Sequence, residues 1–130
     1  MRLRLRPLAL TRLTLLALLG ALVVPTTVSA AVKFFHSPRK NIECEVRGAY
    51  AYCQTFTPLR SVKLTVSGAF TVCDGVRCVG NGPTSSFTLA YGRSVNVGPF
   101  RCTSLLSGMK CVVVRTGRGF VISRARVTRV

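Results

Sequence analysis

The placement of six cysteines constrains this chain more than any other feature. Cys44 and Cys53 stand nine residues apart, as do Cys102 and Cys111, and Cys73 and Cys78 lie five apart between them. An even set of cysteines in a chain this short implies a disulfide framework, although six cysteines allow 15 pairings. Turn chemistry narrows the choice. With Gly48-Ala49 as a two-residue hairpin loop, Arg47 faces Tyr50, Val46 faces Ala51, Glu45 faces Tyr52 and Cys44 faces Cys53. Counted outward from the turn, that last pair is a non-hydrogen-bonded one, and its Cα separation of about 4.5 Å suits a disulfide. The second pair is expected to close in the same way around Leu106-Ser107, with a longer loop. Cys73-Asp74-Gly75-Val76-Arg77-Cys78 would close a tight third turn. The expected bridges are therefore Cys44–Cys53, Cys73–Cys78 and Cys102–Cys111. Zinc ligation prefers CxxC-like spacing with further ligands, whereas this chain offers wider spacings and one His, so no metal or cofactor is expected.

The N-terminus points to the compartment in which such bridges form. Arg2, Arg4, Arg6 and Arg12 precede the apolar run Leu13 to Val24, and Pro25 ends it before Val28-Ser29-Ala30, small residues of the kind a signal peptidase reads. A transmembrane helix needs roughly 20 apolar residues, more than Arg12 and Pro25 leave room for. Residues 1–30 are expected to be a cleaved signal peptide, leaving residues 31–130 as one exported domain with no transmembrane segment. No cysteine near the apolar run offers a lipid attachment point, and there is no twin-Arg pair.

The expected mature chain carries 15 Lys and Arg against Glu43, Glu45 and Asp74, a formal charge of +12. Val-rich segments alternate with Gly-containing turns, and long helix-forming runs are missing. Strands are expected at 32–35, 42–56, 61–66, 69–72, 86–90 and 95–97, then through the second cysteine hairpin from Phe100 to about Arg115, with a last strand beginning at 120–123. Ser61 to Val66 sets Val62, Leu64 and Val66 against Ser61, Lys63 and Thr65, the period of a half-buried strand. Short strands punctuated every eight to twelve residues indicate an all-β, disulfide-stapled fold, either a small antiparallel sandwich or a barrel. The two hairpins of equal cysteine spacing suggest a weak internal repeat.

Several segments, taken in order, carry a resemblance. They are Phe35-His36-Ser37-Pro38 with Asn41-Ile42-Glu43-Cys44, Leu89-Ala90-Tyr91-Gly92-Arg93-Ser94, Arg101-Cys102-Thr103-Ser104, Ser107-Gly108-Met109-Lys110-Cys111, and Gly117-Arg118-Gly119-Phe120-Val121-Ile122-Ser123-Arg124. Together they resemble a family of small secreted actinobacterial domains of unknown function. Ser37-Pro38-Arg39-Lys40-Asn41 stands where that family often has Ser-Pro-Ser-Gly-Asn. Cys73 and Cys78 lie closer together than the family's middle cysteines. The resemblance implies an extracellular compartment and a six-cysteine architecture, and no activity.

Little in the chain suggests catalysis. Acid–base chemistry requires titratable groups with separated pKa values in one site. His36 is expected in a solvated turn. Glu43 and Glu45 share a strand face with Arg47, which reads as a surface charge cluster. No GxSxG occurs, and paired cysteines supply no thiol nucleophile. A secreted hydrolase is thus a remote alternative to a structural or protein-interaction domain of the envelope. The other alternative is a cationic module for an anionic envelope polymer, lipid headgroup or nucleic acid. Every residue from Gly75 to Val130 is neutral or basic. The candidate contacts are Arg101, Lys110, Arg115, Arg118, Arg124, Arg126 and Arg129, with Arg124 and Arg126 projecting from one strand face near the Arg115–Arg118 turn. Uncompensated cations raise the local potential, and guanidinium suits phosphate and carboxylate. No aromatic stacking motif points to specific nucleic-acid binding, and a monomer is expected.

Overall fold

Apolar side chains at every second position leave these strands no stable option except burial of one face. A computed structural model describes residues 31–130; the expected signal peptide at 1–30 lies outside the described residues. The first run of strands is β1 (Lys33–His36), β2 (Ile42–Val46), β3 (Tyr50–Phe56), β4 (Leu59–Thr65) and β5 (Phe70–Asp74). A 3-10 turn at Val76–Cys78 and the short β6 (Phe87–Thr88) follow. The second run is β7 (Ser94–Val97), β8 (Phe100–Leu105), β9 (Gly108–Val113), β10 (Gly119–Ile122) and β11 (Val127–Arg129).

Each run is an antiparallel meander. The first sheet has the order β5-β4-β3-β2-β1-β6 and the second β11-β10-β9-β8-β7. Both sheets remain open at their edges, so the architecture is a sandwich and the barrel alternative falls away. One pairing departs from the antiparallel expectation: β6 lies parallel to β1, with Phe35 opposite Phe87.

Inward side chains of both sheets form one core. Ile42, Cys44, Val46, Ala51, Cys53, Val62 and Leu64 point inward from the first sheet, while Glu43, Glu45 and Tyr52 alternate with them outward. Phe100, Cys102, Met109, Cys111, Phe120 and Ile122 answer from the second. Phe35, Phe100 and Phe120 are fully buried, each worth roughly 1.5–3 kcal/mol of transfer free energy.

The disulfides join Cys44 to Cys53, Cys73 to Cys78 and Cys102 to Cys111. In the first hairpin Cys44 pairs with Cys53 across β2 and β3, and Arg47 N–H donates to Tyr50 O at 2.9 Å around the Gly48-Ala49 loop. Both hairpin bridges have a Cα separation of 4.1 Å. The longer loop expected for the second hairpin is not formed. Leu105 pairs with Gly108, leaving Leu106-Ser107 as a two-residue connection. Gly108 belongs to β9 because its α-carbon lies against the carbonyl of Ile122, where a Cβ would collide. The two bridges meet in the middle of the core, Cys53 Sγ lying 3.7 Å from Cys111 Sγ.

Candidate anion-binding end of the sandwich

The two ends of the sandwich are built differently. At one end the turns pack on each other. Gly98, at φ 53°, brings the β7–β8 turn so close to Gly48 that a Cβ there would lie 3.1 Å from Gly48 Cα. Beside it Arg118, in the β9–β10 turn, packs on Gly68 in the β4–β5 turn. This end is closed.

At the opposite end the turns stand apart around a groove of about 280 Å³. The β1–β2 turn is held by Ser37, whose Oγ accepts from Ile42 N–H at 3.2 Å and donates to Asn41 Oδ1 at 2.9 Å. Lys40 N–H donates to Ser37 O at 2.8 Å, and the left-handed Lys40 (φ 55°) reverses the chain. Arg39 and Lys40 are thereby left exposed. The β10–β11 turn is tied off by Ser123 N–H donating to Arg126 O at 2.9 Å and Arg126 N–H donating to Ser123 Oγ at 3.2 Å. It leans on the β3–β4 turn: Arg124 Nε donates to Thr57 O and Arg60 Nη1 to Ala125 O, both at 3.3 Å. Arg39, Tyr91, Leu106 and Arg124 line the groove between these turns, and among the described residues no side-chain carboxylate does. Asp74 reaches this end but is engaged by Arg60 Nε at 2.5 Å. Cations that converge without a counter-charge hold a positive local potential, and guanidinium groups meet phosphate or carboxylate through planar paired donors.

The seven cations singled out in the sequence do not share a surface. Arg101 and Lys110 lie on the outer face of the second sheet, where Arg101 Nε donates to Asn96 Oδ1 at 2.9 Å. Arg115 and Arg118 occupy the β9–β10 turn at the closed end. Arg129 stacks over the Phe70 ring at 4.9 Å. Arg124 and Arg126 are in a turn rather than on a strand face, at the far end of β10 from Arg115 and Arg118. The Ser123 hydrogen bonds cause the difference, because they end β10 at Ile122 before β11 begins at Val127. The sequence does not single out Arg39, which lines the groove with Arg124; its only local signal is the polar Ser37–Asn41 turn.

A second polar cluster covers the outer face of the first sheet, with a cavity of about 220 Å³. Here the Cys73–Cys78 bridge anchors the loop that follows it, and Gln54 clamps that loop as a strand neighbour would. Gln54 Nε2 donates to Gly80 O at 2.6 Å, and Gly80 N–H donates to Gln54 Oε1 at 2.9 Å. Tyr52 OH lies 2.7 Å from Cys78 O, and burial pushes its phenol above the ordinary tyrosine value. Both carboxylates are occupied. Glu43 Oε2 accepts from Gln54 Nε2 at 3.1 Å, and Glu45 accepts from Arg47 and from Tyr50 OH at 2.8 Å. Burial first, and then that bond, raises the Tyr50 pKa; the Glu45 bond likewise raises that of Arg47.

His36 is the last residue of β1 rather than part of a solvated turn, because it pairs with Glu43 on β2 before Ser37 breaks the ladder. Its Nδ1 lies 3.1 Å from Ser37 O, and Thr88 Oγ1 is 3.4 Å from Nε2. Among the described residues, Cys44, Cys53 and Cys111 bring three sulfurs within 4.8 Å of one another. All three are disulfide-bonded, and a metal takes a thiolate, not a disulfide sulfur. Compared with models of protein families, with curated proteins and with solved structures, the chain matches none of them.

Proposed function

We propose that this protein is an exported, non-catalytic binding domain of the envelope or its surroundings, and that it contacts an anionic partner through the open end of the sandwich. The observation that carries this reading is the groove at that end, lined by Arg39 and Arg124 and by no side-chain carboxylate among the described residues, with Lys40 and Arg126 exposed in the same two turns. Three disulfides fit an oxidising environment. Cleavage of residues 1–30 and kinship with the secreted six-cysteine actinobacterial domains belong to the same proposal. So does the absence of catalysis: Glu43 and Glu45 are engaged by neighbouring side chains, and every cysteine is bonded.

Binding of the exported, oxidised protein to inorganic polyphosphate and to purified cell wall tests this, with two matched sets of substitutions. Arg39→Ala with Arg124→Ala and Arg126→Ala should weaken binding by at least ~10-fold and flatten its salt dependence, since cations near an anionic surface each contribute about 1 kcal/mol. Arg115→Ala with Arg118→Ala, at the closed end, should change it about 2-fold or less. Equal losses from both sets would reduce the charge to a solvated surface.

A second reading rests on the open sheet edges. β5 is exposed along most of its length, and among the described residues β7, β11 and β5 each have a strand neighbour on one side only. An unpaired edge can accept a strand from a protein partner. Charge substitutions at the open end would leave such binding intact, whereas Val72→Pro on β5 would abolish it.

A further inference from the structure

We propose that the anionic partner is a lipid surface, with the open end seating apolar side chains in the headgroup layer while its cations engage lipid phosphates. This deepens, and rests on, the assignment of the open end as the anion-contacting surface. The further observation is apolar. Leu106, at the tip of the β8–β9 hairpin, is 83% exposed, and Val76, just beyond β5, is 72% exposed. Phe56 and Leu59 flank the Thr57-Pro58 turn, and Tyr91 precedes β7; all three are exposed.

Single exposed apolar residues are ordinary on any protein surface. These five lie at one end of the sandwich. Gly75 N–H donates to Leu59 O at 2.8 Å, which sets Val76 beside the β3–β4 turn. Arg124 reaches that turn through Thr57 O, and lines one groove with Tyr91 and Leu106. Apolar tips and guanidinium groups thus share the hydrogen-bonded turns of one end. A soluble polyanion would meet the cations but offer nothing to Leu106, Phe56 or Val76. The interface of an anionic bilayer offers both phosphate and acyl chain, and aromatic and basic side chains suit its headgroup level. Among the described residues, the closed end carries exposed Val66, Val114 and Val130 but no exposed large aromatic side chain.

The chain contains no Trp, so an introduced one reports its own surroundings. Leu106→Trp and, as the closed-end control, Val114→Trp would be compared in the protein recovered after export. Vesicles of phosphatidylcholine with and without phosphatidylglycerol serve as the surface, and inorganic polyphosphate as the soluble anion. The expected result is blue-shifted emission of the Leu106→Trp protein, quenched by brominated acyl chains, with phosphatidylglycerol vesicles only. The Val114→Trp protein should show no shift. Val76→Ser, outside the groove lining, should lower vesicle affinity about tenfold and leave polyphosphate binding unchanged.

Polyphosphate binding that depends on Arg124 and Arg126, without a shift in the Leu106→Trp protein, would overturn the membrane assignment and leave the anion-binding reading standing. A shift in the Val114→Trp protein instead would overturn it through the wrong end. Binding to neither anion would overturn both.

Discussion

The two meanders that make up this sandwich share a frame and differ in what they carry. Cys53 and Cys111 are 58 residues apart, and the same offset relates Cys44 to Cys102 and Val62 to Phe120. In both halves the second cysteine pairs with the next strand through the same spacing, Cys53 with Val62 and Cys111 with Phe120. The core positions differ in kind. Where the first half has Val46 opposite Ala51, the second has Ser104 opposite Met109, so a medium and a small side chain are replaced by a small and a large one. Packing needs the summed volume rather than each residue, and the frame tolerates the exchange.

The surfaces differ more. All three acidic residues belong to the first meander and none to the second. The first also wears a disulfide-anchored loop over its outer face, held by Gln54 and Tyr52. The lesson is that hairpin length and cysteine placement specify the sandwich, while the turns specify what each end can meet.

The comparison can be strained first through its largest side chains. Phe120→Ala should destabilise the protein by about 3–5 kcal/mol, and Val62→Ala, at the matching position, by ~2 kcal/mol. Denaturant unfolding would measure both; equal losses would mean that side-chain volume at matched positions does not set the difference between the halves. The bridges come next. Replacing either core pair by Ala, Cys44 with Cys53 or Cys102 with Cys111, should cost about 3 kcal/mol, alike in the two halves. Replacing Cys73 and Cys78 should cost ~2 kcal/mol or less, with faster amide exchange concentrated in the loop over Gln54. A large asymmetry between the two core pairs would break the equivalence of the halves. The smallest effect concerns Ser104, whose buried Oγ has no hydrogen-bond partner among the described residues. Ser104→Ala should be neutral or stabilising by up to ~1 kcal/mol, since no bond is lost and a desolvated hydroxyl is removed. A loss above that size would show that the hydroxyl is satisfied after all.

What the sequence made legible follows from range. The first hairpin could be read residue by residue because a two-residue turn and two cysteines determine its register locally. The second was read with too long a loop, since Ser107-Gly108 looks like turn chemistry while Gly108 is a strand residue pressed against Ile122. Arg124-Ala125-Arg126 mimics strand alternation, and only the Ser123 hydrogen bonds reveal a turn. The meeting of the core disulfides and the grouping of Arg39 with Arg124 depend on chain segments far apart in sequence. No local pattern announces them. The repeat was faint for the same physical reason that it is stable: complementary volumes, not identical residues, fill its core.

The central claim is that the two ends have different roles, and backbone amide chemical shifts would test it most directly. Polyphosphate would be titrated into the isotope-labelled, oxidised protein. Perturbations should concentrate at residues 37–41, 57–60, 91–93, 105–108 and 123–126. Perturbations centred on 47–49 and 114–118, or spread evenly over every Arg, would contradict the account.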